Sequence, residues 1–348
     1  MIDLLLGAGL VGVLFKIALV LGVIMTVVGH VVLAERKVAG WMQDRVGPNR
    51  VGPWGMLQPL ADGIKFIFKE EIVPEAAHKA TYVLAPILAL TAALTTFAVV
   101  PFSDRLVVLG REVAPIIADL DIGILWIFAV ASLGVYGIVL AGWSSNSKYA
   151  LMGGLRSSAQ MISYELSMTL SVVGVLMVTG SLRLADIVSH QTAGVWNVLV
   201  QPVGFLVFLT SAFAETNRLP FDLPEAEPEL VAGYHTEYSS MKFLLFYMAE
   251  YAHIVLASSL MTLLFFGGWH LPFVEGMLAS FSPGIAGLVH FLIFFGKVCF
   301  FMFLYIWVRW TLPRFRYDQL MRLGWKVMLP LALANVAWTA ALILWGIA

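Results

Sequence analysis

Apolar runs of about 20 residues recur along the whole chain, and each can cross a bilayer core about 30 Å thick. Lipid offers the backbone no hydrogen-bond partners, so such runs form helices or a closed barrel. The short alternating segments typical of a barrel do not occur here. The chain is therefore predicted to be an all-α, polytopic transmembrane bundle of about eight spans. The predicted spans are 10–33, 81–101, 122–142, 160–180, 196–214, 241–268, 287–308 and 327–346.

The composition favours a single integral membrane domain over residues 1–348. Hydrophobic residues make up 60% of the chain and charged residues 12%, against about 25% charged residues in soluble domains. The net charge of -1 argues against a nucleic acid partner. The one cysteine, Cys299, excludes an internal disulfide and a cysteine-based metal site. The first apolar run is too long for a cleaved signal peptide and is predicted to be a span.

The distribution of lysine and arginine predicts the orientation of the chain in the membrane. Of the 21 such residues, sixteen fall in the connections after spans 1, 3, 5 and 7, and three fall after spans 2, 4 and 6. Basic connections stay on the cytoplasmic side. With eight spans, both termini are then expected on the periplasmic side.

Residues 53–70 are a different kind of segment, with an apolar stripe and a polar stripe at helical spacing. The apolar stripe consists of Leu57, Leu60, Ile64 and Ile67. The segment is too polar to span and is predicted to be an amphipathic helix on the membrane surface, beginning at Pro53. The pattern alone equally fits an interfacial helix without a ligand.

Several ionisable residues fall inside predicted spans, where a charge costs at least about 2.5 kcal/mol and needs a partner, water or a function. They are Glu165, Glu250, His253 and Lys297, with Glu215 at the end of span 5. Acids and bases spread over several helices indicate a proton relay. For each residue taken alone, the alternative is a structural hydrogen bond between helices.

The loop at about 215–240 is dense in carboxylates. They are Glu215, Asp222, Glu225, Glu227, Glu229 and Glu237. A solvated acidic loop is the simplest interpretation. Apolar residues such as Phe221 and Leu223 alternate with the acids, however, and predict a folded loop packed against the protein. Crowded carboxylates in such a loop are expected to have raised pKa values and to exchange protons near neutral pH.

The first cytoplasmic connection carries Glu35, Arg36 and Arg45 close to the end of span 1. The arginines are either anchors on the cytoplasmic side or hydrogen-bond donors to the polar headgroup of a ligand.

Two long stretches resemble a known family. GPNRVGPWGMLQPLADGIK at 47–65 and PFDLPEAEPELVAGYHTEY at 220–238 are similar to the two signatures of the H subunit of proton-pumping NADH:quinone oxidoreductase, respiratory complex I. The resemblance covers essentially the whole chain and implies a subunit that joins the redox arm of the complex to its membrane arm. It implies that span 1, the surface helix and span 6 frame the entrance of a quinone chamber.

The resemblance also implies roles for individual residues. The residues that line or support the quinone chamber would be Arg36, Arg45, Asp62, Lys65 and Phe66. The carboxylate path that leads charge away from the quinone would contain Glu35, Glu165, Glu215, Asp222, Glu225, Glu227 and Glu229, with Tyr164 beside it. From their positions in spans, Glu250, His253 and Lys297 are added to this path as candidates.

The resemblance further implies quinone as the substrate, with FMN and iron–sulfur clusters only in partner subunits. The partners would be the peripheral-arm subunits of the quinone site and small membrane subunits, together with lipid, in the bacterial cytoplasmic (inner) membrane. Two other classes remain open. A stand-alone cation–proton antiporter would transport ions when reconstituted alone, and the membrane anchor of an energy-converting hydrogenase would co-purify with a nickel–iron enzyme and bind no quinone.

Overall fold

The computed structural model of the protein describes residues 9–108, 111–223, 227–272, 274–278 and 281–346. Helices dominate this part of the chain, as the all-α prediction requires. The helices are α1 (Leu10–Met42), α2 (Gln58–Phe68), α3 (Lys79–Thr95), α4 (Gly123–Ala131), α5 (Leu133–Ser144), α6 (Lys148–Thr179), α7 (Leu184–Ala193), α8 (Asn197–Val200), α9 (Pro202–Glu215), α10 (Glu227–Leu230), α11 (Ser240–Phe265), α12 (Glu275–Leu278), α13 (Pro283–Thr311), α14 (Tyr317–Leu323) and α15 (Leu329–Leu344).

Short elements complete the described chain. Three 3-10 turns occur, at Pro53–Gly55, Thr96–Val99 and Gly233–His235, and a π-helical turn at Gly324–Met328 joins α14 to α15. The strands β1 (Leu106–Val108) and β2 (Arg111–Val113) pair antiparallel with Leu106 opposite Val113, and this hairpin is the only sheet in the described residues.

Seven helical stretches in the described residues are long and apolar enough to cross a membrane. They are α1, α3 with its 3-10 turn, α4 with α5, α6, α11, α13, and α14 with α15. Each overlaps a predicted span, so the chain is a multi-pass membrane protein. Burial is highest along α11, and it is low along α1 and the final stretch, which lie at the periphery of the bundle.

The fifth predicted span, 196–214, differs from the expectation. Pro202 disfavours a helical conformation at Gln201, whose φ and ψ are -127° and 54°. The segment is therefore split into α8 and α9, and α9 has only 14 residues. At 1.5 Å per residue it is about 21 Å long, shorter than the hydrocarbon core.

The surface helix begins later than predicted. Trp54 has a φ of 53°, so the turn at Pro53–Gly55 cannot continue into a helix, and α2 begins only at Gln58. None of the residues of α2 is buried, and its apolar residues Leu60 and Ile67 are well exposed. The helix lies against α1 and α11 with its apolar stripe free to contact lipid.

Small residues allow the spans to approach closely. Gly137 of α5 packs directly on Ala85 and Ala89 of α3, and Gly142 packs on the carbonyl oxygen of Ala150 in α6. Membrane helices associate through such close backbone contact because lipid supplies no hydrophobic driving force.

The packing at Gly137 generates a test of the fold. A Cβ atom at this position would lie 2.9 Å from the carbonyl oxygen of Ala85 and 3.0 Å from the nitrogen of Ala89, so we expect Gly137→Ala to destabilise the protein by about 1–3 kcal/mol. The measurement is thermal unfolding of the purified, detergent-solubilised protein. Gly22→Ala in α1 is the control, because no atom lies within 4 Å of a Cβ there. Equal midpoints for the two variants would contradict the described packing.

Candidate functional site

A pocket of about 110 Å³ lies where α1, α2 and α11 meet. Its polar wall is formed by Arg36 of α1 and Asp62 of α2, which form a salt bridge with 2.8 Å between Nη1 and Oδ2. Gln58 Nε2 donates to the other carboxylate oxygen at 3.1 Å, and Lys65 Nζ lies 3.6 Å from it. The remaining wall is mostly apolar. The pocket therefore combines an oriented guanidinium with a surface suited to an apolar chain.

Of the other residues predicted for this site, Phe66 lies at the pocket and Arg45 lies outside it. Phe66 lines the pocket and stacks on Phe243 of α11, with 6.2 Å between ring centroids. The carbonyl oxygen of Phe66 accepts a hydrogen bond from Ser240 Oγ, so the end of α2 is tied to the start of α11. Arg45 lies beyond α1 and donates from Nε to Gln43 Oε1 at 2.8 Å, outside the residues that line the pocket.

A buried group of charged side chains lies behind the pocket, and we call Glu35, Arg218, Glu250 and Arg309 the central charge cluster. Glu35 is paired with Arg309 and with Arg218, whose Nη1 lies 3.3 Å from Glu35 Oε2. The Nε of Arg218 also lies 2.5 Å from Glu250 Oε1. The side chains of Arg218, Glu35 and Glu250 are only 6%, 10% and 12% exposed. The two acids and the two bases compensate each other in an environment where an unpaired ion costs several kcal/mol.

Two tyrosines of α11 connect the pocket to the cluster. Tyr247 and Tyr251 both line the pocket, and their hydroxyl oxygens are 3.1 Å apart. The Tyr251 hydroxyl donates to Glu35 Oε2 at 2.7 Å. The Arg218 guanidinium lies 4.2 Å from the centre of the Tyr251 ring. Hydroxyl groups both donate and accept, so a proton can pass along this row of oxygens by reorientation of the hydroxyls.

Beyond the cluster lie two small cavities, of about 30 Å³ and about 20 Å³. Both are lined by Glu215, Thr216 and His253, and the larger one also touches Glu250. A cavity of about 10–15 Å³ or more holds a water molecule when polar partners surround it. Each of these spaces therefore accommodates one water next to Glu215.

Glu165 continues the row of acids. The carboxyl groups of Glu165 and Glu215 are close enough to interact electrostatically. Tyr164, its neighbour in sequence, is fully buried and donates to the carbonyl oxygen of Leu320 at 2.9 Å. This hydrogen bond joins the middle of α6 to the middle of α14.

The acidic loop is folded against the protein in its described part. Phe221 and Leu223 are buried, and Phe221 stacks on Phe315 with 5.4 Å between ring centroids. Asp222 pairs with Arg314 at 2.9 Å, and burial raises the pKa of this carboxyl although Arg314 opposes the shift. Burial lowers the pKa of His235 to about 4, so this imidazole is neutral at neutral pH.

Of the other loop carboxylates predicted for the proton path, only Glu229 has a described side chain. Glu229 pairs with Arg156 of α6 at 2.6 Å. Glu225 lies outside the described residues, and so does the side chain of Glu227. The predictions for these two residues remain predictions.

Lys297 occupies a different position from the other candidates. Its ammonium donates to the carbonyl oxygens of Phe266, Gly268 and His270, at 2.6, 2.9 and 2.6 Å. These carbonyls follow the C-terminal end of α11, while Glu250 lies in the first half of that helix. Lys297 thus caps α11, satisfying carbonyls that a helix end leaves free.

The sequence did not identify Arg218, Arg309 and Tyr251 as members of a site. Arg218 and Arg309 count as ordinary cytoplasmic bases by the positive-inside rule, and Tyr251 is a common residue in an apolar run. The spacing of Tyr247, Glu250 and Tyr251 along one helix was the available signal, because residues three or four apart share a face.

The fold and the site define a multi-pass membrane protein with a charge cluster buried behind a partly apolar pocket. A family described as NADH dehydrogenase matches residues 15–340 of the chain. The chain is 49% identical to an NADH-quinone oxidoreductase H subunit of Cytophaga hutchinsonii over 96% of both chains, and 53% identical to an H subunit of Koribacter versatilis over 94% and 95%. It is 55% identical to the H subunit of Leptospira biflexa over 90% of both chains. The chain therefore belongs to the family of NADH-quinone oxidoreductase H subunits, whose members are parts of an enzyme complex.

The central charge cluster can be tested by stability. Glu35→Gln removes the shared partner of Arg218 and Arg309, and we expect a loss of about 3 kcal/mol because two bases then share the single remaining acid, Glu250. Asp318→Asn, which breaks the exposed pair with Arg316, is the control and should cost at most about 1 kcal/mol. The measurement is thermal or denaturant-induced unfolding of the purified complex. A Glu35 variant as stable as the Asp318 variant would show that the cluster does not hold the bundle together.

Proposed function

We propose that this chain is the membrane subunit of an NADH:quinone oxidoreductase that forms the membrane side of the quinone chamber and couples quinone reduction to proton translocation. One observation carries the proposal. Tyr247 and Tyr251 line the same pocket as the Arg36–Asp62 pair, their hydroxyls hydrogen-bond each other, and Tyr251 donates to Glu35 of the central charge cluster. From Glu250, water-sized cavities continue to Glu215.

The pocket suits a molecule with a polar head and a long apolar tail. The carbonyl oxygens of a quinone accept hydrogen bonds, and Arg36, held in place by Asp62, is a charged donor on the wall of the pocket. The apolar stripe of α2 lies at the membrane surface, so a quinone can enter from lipid without crossing a polar barrier. In this proposal Lys65 and Phe66 support the wall, and Arg45 contributes from the loop beyond α1.

The carboxylates suit a proton path. Reduction of a quinone takes up two electrons and two protons, and so changes the charge next to the pocket. Tyr251 would transmit this change to Glu35, and Arg218 would redistribute its pairing between Glu35 and Glu250. The path would then continue through water and His253 to Glu215 and Glu165. The loop carboxylates Asp222, Glu225, Glu227 and Glu229 would complete it on the side of the partner subunits.

Partner subunits are part of the proposal. The electrons would arrive from FMN and iron–sulfur clusters in peripheral-arm subunits, and small membrane subunits would cover the periphery of the bundle. The complex would lie in the bacterial cytoplasmic membrane, with both termini of this chain on the periplasmic side. The names of the relatives favour this function over an antiporter or a hydrogenase anchor. Lys297 remains a candidate for the path, although its cap on α11 accounts for its position.

The quinone pocket predicts a change in substrate affinity. Arg36→Met removes one charge-assisted hydrogen bond, and we expect KM for quinone to rise by about tenfold in the purified complex. The readout is NADH:quinone turnover against quinone concentration. Arg316→Met is the control, because Arg316 is exposed and pairs only with Asp318 among the ion pairs of the described residues. A KM that does not change in the Arg36 variant would remove this residue from the chamber.

The carboxylate path predicts a change in proton translocation. Glu215→Gln keeps the shape of the side chain but removes its ability to ionise, and we expect coupled turnover to fall by about tenfold or more. Turnover and protons moved per electron are measured together in proteoliposomes. The exposed acid Glu112 of β2 supplies the control variant, Glu112→Gln. If the Glu215 variant matched this control in both quantities, the path would have to run elsewhere.

A further inference from the structure

A second, larger groove lies along the other half of α1. It has a volume of about 430 Å³ and is bounded by α1, α11, α13 and the segments next to the β1–β2 hairpin. Its walls are apolar, with Leu19 and Val23 of α1 opposite Phe294 and Val298 of α13. The volume falls within the range of about 300–1,000 Å³ that is usual for ligand sites. Lys16 is the one charged residue among the described residues that line it.

Lys16 lies in the half of α1 that is farther from α2, six residues inside the predicted span 10–33. It is separated from Arg36, which faces the surface helix, by a stretch of α1 that spans about 30 Å at 1.5 Å per residue. This distance is about the thickness of the hydrocarbon core. The groove therefore lies mainly in the leaflet opposite α2, and the side chain of its single cation can extend toward the headgroups of that leaflet.

The Lys16 ammonium has no counter-ion in the described part of the chain, where the ion pairs involve other bases. A lysine at this height extends its stem along apolar surface and places its charge among headgroups. A cation at the mouth of an apolar groove matches an amphipathic molecule with an anionic group joined to hydrocarbon.

We propose that this groove binds an anionic phospholipid of the leaflet opposite α2, with its phosphate on the Lys16 ammonium and an acyl chain between α1 and α13. A quinone tail or a transmembrane helix from another chain of the complex would fill the same apolar space, but a quinone tail carries no anionic group for Lys16, and the experiment separates both occupants from a lipid. The site is separate from the Arg36–Asp62 pocket, so the inference does not depend on the proposed quinone chemistry.

The experiment uses the intact NADH-quinone oxidoreductase complex in phosphatidylcholine vesicles that contain phosphatidylglycerol with a diazirine in one acyl chain. After irradiation, mass spectrometry of peptides locates the label. We expect label on the groove-facing residues of α1 and α13. Lys16→Gln should lower the labelling there by about fivefold, and Lys16→Arg should retain it.

A matched pair of variants separates the groove from general lipid contact. Leu19 and Leu14 lie on the same helix and are both 55% exposed, but only Leu19 lines the groove. Leu19→Trp should fill the groove and suppress its labelling, whereas Leu14→Trp should leave the labelling unchanged.

Three results would overturn the inference. The first is equal labelling in the Leu19 and Leu14 variants, or labelling that does not respond to Lys16→Gln, which would indicate nonspecific lipid contact. The second is displacement of the label by excess quinone, which would assign the groove to a quinone tail. The third is the absence of label from the groove in the wild-type complex, which would indicate that another chain of the complex covers it.

Discussion

The ion pairs of Glu35 are the interaction on which the rest of the described bundle depends. Glu35 belongs to α1, Arg218 to the loop after α9, and Arg309 to the end of α13, so one carboxylate joins three distant parts of the chain. Glu250 of α11 adds a fourth part through Arg218. In a low-dielectric interior, each of these charges would cost several kcal/mol without the others. The helices that carry them are therefore constrained together, and α1 and α11 are held at the spacing that creates the pocket beside α2.

In the proposed function, the same pairing would carry a change of charge at the pocket into the interior of the bundle. The cluster contains two acids and two bases, whose charges cancel. A single added or removed proton therefore leaves the cluster with a net charge. Tyr251 contacts both the carboxylate of Glu35 and the guanidinium of Arg218, and it also lines the pocket. In the proposed function, a change in charge at the quinone acts first on this residue. Arg218 has carboxylates on two sides, and a shift of its pairing toward Glu250 would carry the change toward the cavities.

The spans and the surface helix could be predicted from the sequence because hydrocarbon imposes a length and a pattern on each segment separately. Two predicted helix boundaries were wrong for local reasons. Pro202 splits the fifth span, and because Trp54 has a positive φ, α2 begins only at Gln58. The candidate acids could be found because an ionisable residue in a span stands out. Their partners could not, since the contact of Glu35 with Arg309 links residues 274 positions apart. The contacts of Lys297 could not be predicted for the same reason, because they depend on where the end of α11 lies in the folded chain.

The cavities beside Glu215 are separate, and this separation has a consequence for coupling. A continuous file of water would conduct protons at all times, and a redox event could not control it. Glu215, Thr216 and His253 form part of the wall of both cavities, so in the proposed function a proton that moves from one cavity to the other would pass these side chains. Side chains conduct only when their protonation and rotamer permit it. In the proposed function, a path built from water-sized cavities and titratable side chains would therefore be closed by default. In the proposed function, that property would allow the central charge cluster to control proton movement without a large conformational change.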